Sequence, residues 1–223
     1  MTPAEDRVPR IGMLGGTFDP VHLGHLRCAV ELREALALDR VHMIPAARPP
    51  LREAPGVSAE HRLELLALGI GDTPGLVADG RELRRTGPSY SVDTLAELRL
   101  DYGDQARLVM ALGHDAFLRL ADWHDARRLF ELAHLVVMER PDHQAPLPGA
   151  LGELIADRDA GTPEALMARP AGGLLRLRLP TRMAISATDI RRRLAQGRSV
   201  RYLLAAAVER RLQELKLYKA EAG

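Results

Sequence analysis

A continuous apolar run over residues 10–14 stops at Gly15-Gly16, the pattern of a buried strand that ends in a tight turn. Over residues 25–38 the period changes. Cys28, Ala29, Leu32, Ala35 and Leu36 fall on one face at helical spacing. A second short apolar run, 41–44, is stopped by Pro45. Strand, helix and strand in this order predict a βαβ unit, and therefore a parallel sheet covered by helices. Residues 46–57 contain Pro49, Pro50 and Pro55 and predict a loop. Ser58 is a candidate N-cap for a helix whose face is Leu63, Leu66, Ala67 and Ile70. A short strand at 76–78 follows, then a polar connection at 81–90 with Gly87-Pro88, then a helix capped by Ser91 and running to Leu100. Residues 108–112 are a strong buried strand ended by Gly113. Residues 115–120 and 126–132 predict short helices, and 135–138 a further strand closed by Arg140-Pro141.

The pattern then loosens. Residues 141–173 are rich in Pro, Gly and Ala, with one helix at 150–156, and read as an insertion or excursion rather than a second domain. Residues 174–179 alternate Leu and Arg, which suits an edge strand exposed on one side. Thr188 or Asp189 is a candidate cap for a helix over 190–196 that Gly197 ends. A last helix over 201–215 carries Leu204, Val208, Leu212 and Leu215 as its buried stripe. There is no internal repeat and no low-complexity tract. Residues 1–223 are expected to form a single α/β domain with a mostly parallel sheet of five or six strands.

Composition changes this picture only at its margins. A chain of 223 residues buries a core without staples. Lys+Arg is 31 against Asp+Glu 30, a net charge of +1, so an extended nucleic-acid-binding surface has no support and no nucleic-acid partner is expected. The positive charge is almost all arginine; lysine occurs only at Lys216 and Lys219. The lone Cys28 excludes an intrachain disulfide and a Cys-based zinc site, and is assigned to helix packing. No apolar stretch of about 18 residues or more predicts a transmembrane helix. The first ten residues, MTPAEDRVPR, lack an apolar signal region. The expectation is a soluble cytoplasmic protein with no membrane partner.

The chemistry is concentrated in Gly15-Gly16-Thr17-Phe18-Asp19-Pro20-Val21-His22-Leu23-Gly24-His25, between the first strand and the first helix. Strand-to-helix turns at the C-terminal edge of a parallel sheet are where such folds bind ligands. The glycines admit a phosphate close to the backbone, and the helix start offers free N–H groups and a positive dipole end. His22 and His25, three apart, reach the same anion; Thr17 adds a hydroxyl, and Gly24 leaves room between the rings. Either histidine alone reads more readily as a surface residue, but the ordered set does not. The histidine pair lacks an evident third ligand for zinc, and the fingerprints G-x-G-x-x-G and G-x-x-x-x-G-K-[ST] are both absent. Asp19 before Pro20 reads as a turn-former rather than a base, and Tyr90 as core or site with equal weight.

This segment resembles the nucleotidyltransferases whose H-x-G-H motif follows the first strand of a Rossmann-like three-layer fold. Ile185-Ser186-Ala187-Thr188-Asp189-Ile190-Arg191 resembles their second motif, I-S-x-T-x-[IV]-R. Alone, the Arg191–Arg193 run would read as a solvated helix face. Further segments resemble the bacterial nicotinate mononucleotide adenylyltransferases: Gly87-Pro88-Ser89-Tyr90-Ser91 their P-S-Y-[ST], Gly113-His114-Asp115 their G-x-D, and Trp123-His124 their W-[YH] pair. His61-Arg62 at a helix start and Glu139-Arg140-Pro141 also match. The likeness runs from about Ile11 to Tyr218. It departs at Ala46-Ala47-Arg48-Pro49-Pro50-Leu51-Arg52, where the family has N-x-x-P-P-H-[KR]: the Asn and His are replaced by Ala46 and Leu51, while Arg52 keeps the charge.

The resemblance implies transfer of the adenylyl group of ATP to nicotinate mononucleotide, giving deamido-NAD and pyrophosphate, with Mg²⁺ carried mainly on the ATP phosphates. It implies His22, His25 and Arg191 as catalytic groups. It implies Gly15, Gly16, Thr17, Phe18, Gly24, Gly113, Asp115, Ser186 and Thr188 as the ATP site, with the helical part over residues 185–218 completing it. Ser91, Trp123, His124, Arg52 and Arg140 are implied for the mononucleotide, with Trp123 stacking on the pyridine ring. Rival readings are a same-fold enzyme acting on nicotinamide mononucleotide or phosphopantetheine, and a nucleotide-binding sensor without catalysis.

Overall fold

The computed structural model describes residues 7–49, 56–139, 147–181 and 183–219. Six strands, β1 (Arg10–Gly16), β2 (Arg40–Pro45), β3 (Leu76–Ala78), β4 (Arg107–Gly113), β5 (His134–Met138) and β6 (Leu174–Leu177), form one sheet in the order β3-β2-β1-β4-β5-β6. The pairings of β1 with β4, β4 with β5, and β5 with β6 are parallel. This is the α/β architecture expected from the alternation of apolar runs and helical periods. The helices are α1 (Leu23–Ala35), α2 (Ala59–Ile70), α3 (Ser91–Tyr102), α4 (His114–Phe117), α5 (Ala126–Leu132), α6 (Gly149–Ile155), α7 (Pro163–Met167), α8 (Ala187–Ala195) and α9 (Ala206–Glu214).

The chain divides into two compact units. The first comprises Met1–Gly15, Leu32–Val41 and Tyr90–Leu179; the second comprises Gly16–Glu31, His42–Ser89 and Pro180–Gly223. In the first, Leu95, Leu98, Leu108, Phe117, Phe130 and Leu135 are buried. β1 and β4 each run seven residues from a paired start, Arg10 opposite Arg107, so Gly15 and Gly113 lie at the same C-terminal edge. Gly12 sits within β1 because a Cβ there would meet Leu38 Cδ1 at 2.9 Å. In the second unit, Val21, Met43, Ile44, Leu65, Leu66 and Val208 are buried.

Several local expectations shift. The buried face of α2 is Arg62, Leu65, Leu66 and Ile70, and Ala67 is exposed, because an arginine occupies a core position. Ser58 does cap that helix, accepting the His61 N–H. Ser91 is the first residue of α3 rather than its cap; Tyr90 holds that place without a side-chain bond. Ser186, not Thr188 or Asp189, caps α8 by accepting the Asp189 N–H at 3.1 Å. The last helix is shorter than its apolar stripe, with Leu204 buried ahead of α9. Within the stretch expected as an excursion, residues 147–173 carry α6 and α7 and connect two parallel strands. No hairpin can join such strands. Leu151, Leu154, Leu166 and Met167 are buried there.

β5 also contains a fully buried histidine. His134 Nδ1 accepts the Gly173 N–H at 3.0 Å, and its Nε2 meets the Arg169 carbonyl at 2.7 Å. The ring therefore pins the chain just before β6. Burial, with the charges of Arg169, Arg99 and Arg107, lowers its pKa to about 4. The unfolded chain takes up a proton here near pH 6.5 that the folded chain refuses until about pH 4. This contribution is fully present above pH 6.5 and is lost as pH falls, up to about 3 kcal/mol. In denaturant titrations at pH 7 and pH 4.5, His134→Gln should show a shallower loss of stability than the parent. An equal slope in both would overturn this assignment.

Candidate active site

In the second unit, the turn that leaves β1 leads into α1 through His22. The His22 carbonyl accepts the His25 and Leu26 N–H groups at 3.0 and 3.2 Å, so the ring stands at the very start of the helix. The two histidines cap each other: each backbone N–H donates to the other ring's Nδ1 at 3.4 Å. Their rings stack at 3.6 Å between centroids. With Nδ1 accepting, each neutral ring carries its proton on Nε2, a donor. Burial lowers the His22 pKa to about 4. Burial and its neighbour His22 lower that of His25 to about 3. The free protein therefore holds a neutral pair at pH 7.

Gly24 packs tightly against the histidine pair. A Cβ there would meet the His22 ring at 3.0 and 3.1 Å, and Ile185 at 3.7 Å, so the two motifs adjoin across this glycine. Phe18 is buried, takes a positive φ of 48°, and sets its ring edge-on to His25 at 5.0 Å. Its side chain supports a histidine, leaving only its backbone for a ligand. Gly16 is pressed against the same ring, at 3.2 Å from a notional Cβ.

The second motif meets this turn through one arginine of three. Arg191 Nη1 donates to the Asp19 carbonyl at 2.7 Å, with Asp19 Oδ2 at 3.7 Å, and Nη2 reaches Thr188 Oγ1 at 3.4 Å. Arg192 and Arg193 instead bind Asp189 on their own helix, Arg193 Nε at 2.8 Å. Hydrogen bonds from Arg193 and Arg192 hold the Asp189 carboxyl below the usual range. Ser186 and Thr188 are exposed at the start of α8.

Three supports were not foreseen as such. Arg62, buried to 1% exposure, donates to the carbonyls of Thr17 at 2.6 Å, Ala46 at 2.8 Å and Val57 at 3.2 Å. Glu31, on α1, accepts Arg27 Nε at 2.7 Å and the Thr181 N–H at 3.1 Å, fixing the chain ahead of the second motif. Burial would raise its pKa, but the bonds from Thr181 and Arg27 outweigh that and lower it. The Tyr218 hydroxyl donates to Asp19 Oδ1. At Arg62 and Glu31 a charged residue sits at a buried helix position, and the local pattern gives the same signal as for an exposed one. Tyr218 leaves none.

The departing loop after β2 is braced by backbone. Ser89 Oγ accepts the Ala47 and Arg48 N–H groups at 3.0 and 3.1 Å, and the Ala46 N–H donates to the Gly16 carbonyl at 2.9 Å. Ala46 thus acts through its main chain. Arg52, Leu51 and Arg140 lie outside the described residues.

In the first unit, Gly113 and Asp115 are exposed where β4 passes into α4. Trp123 is half-buried and follows the 3₁₀ turn Leu120–Asp122, so it is not core filling. Tyr90 stacks on His124 at 4.2 Å, beside Ser91 at the start of α3. Among the described residues, no group of three or more His, Cys, Asp or Glu is placed to hold a metal ion. No described helix is long and apolar enough to cross a membrane.

Residues 13–193 match the model of the cytidylyltransferase-like family. A probable nicotinate-nucleotide adenylyltransferase of Chromohalobacter salexigens is 67% identical over 98% of this chain and 100% of its own. One from Halorhodospira halophila is 52% identical over 93% of this chain and 94% of its own. Among solved structures, the Plasmodium falciparum nicotinic acid mononucleotide adenylyltransferase complexed with NaAD superposes with a TM-score of 0.69. It is 13% identical and covers 94% of this chain and 97% of its own, a likeness of fold. The reciprocal histidine caps, the glycine between them and the arginine on Asp19 are thus features of a chain that belongs to the cytidylyltransferase-like family, and within it to the nicotinate-nucleotide adenylyltransferases.

Proposed function

We propose that this chain transfers the adenylyl group of ATP to nicotinate mononucleotide, releasing pyrophosphate and forming deamido-NAD for NAD biosynthesis. The observation that supports the reading is the mutual capping of His22 and His25 at the start of α1, with Arg191 bonded to Asp19 in the turn that leads there, in a chain 67% identical to a relative of that name. The mononucleotide phosphate is the nucleophile. It attacks the α-phosphorus in line and pyrophosphate leaves. The nucleophile is already anionic at pH 7, so the protein's task is alignment and dispersal of charge.

In this reading His22 and His25 turn their Nε2 donors to the polyphosphate, with the N–H groups that open α1. Arg191 adds a planar fork. Gly15, Gly16, Thr17 and the Phe18 backbone line the approach, and Gly24 keeps it open. Ser186 and Thr188 with the start of α8 bind phosphate, and Gly113 and Asp115 serve the adenosine. Mg²⁺ arrives on the ATP polyphosphate as part of the substrate and neutralises it; the phosphates rather than a cage of carboxylates hold it. Trp123 stacks on the pyridine ring, while backbone N–H groups near Ser91 and His124 meet its carboxylate. Arg52 and Arg140 are assigned to the mononucleotide on resemblance.

Pyrophosphate release with Mg-ATP tests the reading, with nicotinate mononucleotide, nicotinamide mononucleotide and phosphopantetheine compared as acceptors. The nicotinate form should be strongly preferred. His22→Ala and Arg191→Ala should each lower kcat about a hundredfold or more, and Trp123→Ala should raise KM for the mononucleotide about tenfold with little change for ATP. ATP binding without turnover of any acceptor would favour a sensor instead.

The neutral histidine pair adds a proton signature. A bound polyphosphate favours imidazolium and raises a pKa that burial holds at about 4 in His22 and about 3 in His25. ATP binding should therefore take up protons, and affinity should weaken as pH rises through the raised, bound-state pKa. Calorimetry at pH 6 in buffers of different ionisation enthalpy measures this directly; no uptake, or uptake unchanged in His22→Ala, would contradict it.

A further inference from the structure

The turn between β1 and α1 is held by a residue far along the chain that neither motif contains. After α9 the backbone turns back on itself. The Lys216 N–H donates to the Gln213 carbonyl at 3.2 Å, and the Leu217 N–H to the Leu212 carbonyl at 3.1 Å. Lys216 and Tyr218 both take left-handed backbone, φ 54° and 60°, a region that favours glycine. Strained non-glycine backbone persists where the surroundings over-determine it. Here α9 is docked on α2, with Arg211 Nε on Glu64 at 2.7 Å. The outcome is a half-buried phenol whose hydroxyl donates to the buried Asp19. Burial, then the bond to Asp19 and its charge, push the Tyr218 pKa far up, so the hydroxyl keeps its proton.

Asp19 faces two cations. Arg191 takes its carbonyl at 2.7 Å, but its carboxylate stands off, with Oδ2 at 3.7 Å from Nη1. Arg62 is also near, its charge felt by both Asp19 and Tyr218. A carboxylate beside an arginine would ordinarily close into a two-bond pair and occupy the planar fork. With Oδ1 committed to Tyr218, that closure is blocked, and the guanidinium is held by a carbonyl instead.

We propose that Tyr218 is a positioning residue for Arg191: by fixing the Asp19 carboxylate it keeps that carboxylate from closing on the guanidinium, whose remaining N–H donors then serve the ATP polyphosphate. The inference rests on the assignment of Arg191 to that polyphosphate. Removing the hydroxyl lets Asp19 compete with phosphate for the arginine. Removing the carboxylate's charge as well abolishes the competition.

Calorimetric binding of inorganic tripolyphosphate to the full chain tests this without turnover. Tyr218→Phe should bind about tenfold more weakly than the parent, with nicotinate mononucleotide affinity and melting temperature little changed. In an Asp19→Asn background the same substitution should have almost no effect. In kinetics, KM for ATP should rise more than kcat falls. Equal binding by Tyr218→Phe and a parent that itself binds would overturn the inference while leaving the site assignment standing. So would equal losses in both backgrounds, which mark a purely structural contact. A parent that binds neither tripolyphosphate nor ATP would instead sink the reading of the site.

Discussion

A single buried guanidinium sets the geometry on which the nucleotide motif depends. Arg62 places its donors on carbonyls from the turn after β1, the loop after β2 and the segment before α2. Main-chain carbonyls buried without a donor are costly, and a buried cation without acceptors costs more. Each side satisfies the other, so the turn at Thr17 and the loop at Ala46 cannot move apart without exposing both penalties. The Ser89 hydroxyl, bonded to two N–H groups of that same loop, extends the brace. The histidines enter α1 from a turn fixed in this way. Their mutual capping then determines which ring nitrogen faces outward.

That outward face is built on neutral rings, and burial is the reason. A surface imidazole would be partly charged near neutral pH and would attract any anion. Rings held at about pH 4 and about pH 3 acquire charge only when a strong anion supplies the favourable field. In the proposed reading such a pair answers to dense negative charge, and Gly24 is the steric condition for the stack. A methyl group there would press on the His22 ring at 3.0 Å and disturb the stack.

The strands and the two motifs were legible because they depend on local pattern: apolar runs bounded by Gly or Pro, and a dense H-x-G-H segment between a strand and a helix. The supports were not, because a charged side chain in a helix carries the same local signal whether it faces water or carbonyls. Arg62 displaced the expected face of α2 by occupying a core position, and Glu31 did the same on α1. Ser186 was hidden from the capping argument by Thr188 and Asp189, two residues equally fit for the role. Connections between parallel strands were hard to read for a different reason. Residues 147–173 show weak periodicity, yet a parallel β5–β6 pair demands a crossover connection rather than a hairpin.

The arginine run of α8 shows how composition misleads at short range. Three adjacent cations look like a positive patch, but Asp189 engages Arg192 and Arg193 along the helix. Only Arg191 faces the β1–α1 turn, where it meets an aspartate that would neutralise it if free to close. The carboxylate is not free, because one oxygen accepts from a tyrosine and the other stands beyond hydrogen-bond reach. Net charge near zero thus says little about any one cation. What matters is which cations have their partners held back, and that is decided by hydrogen bonds between residues 172 and 199 positions apart in the chain.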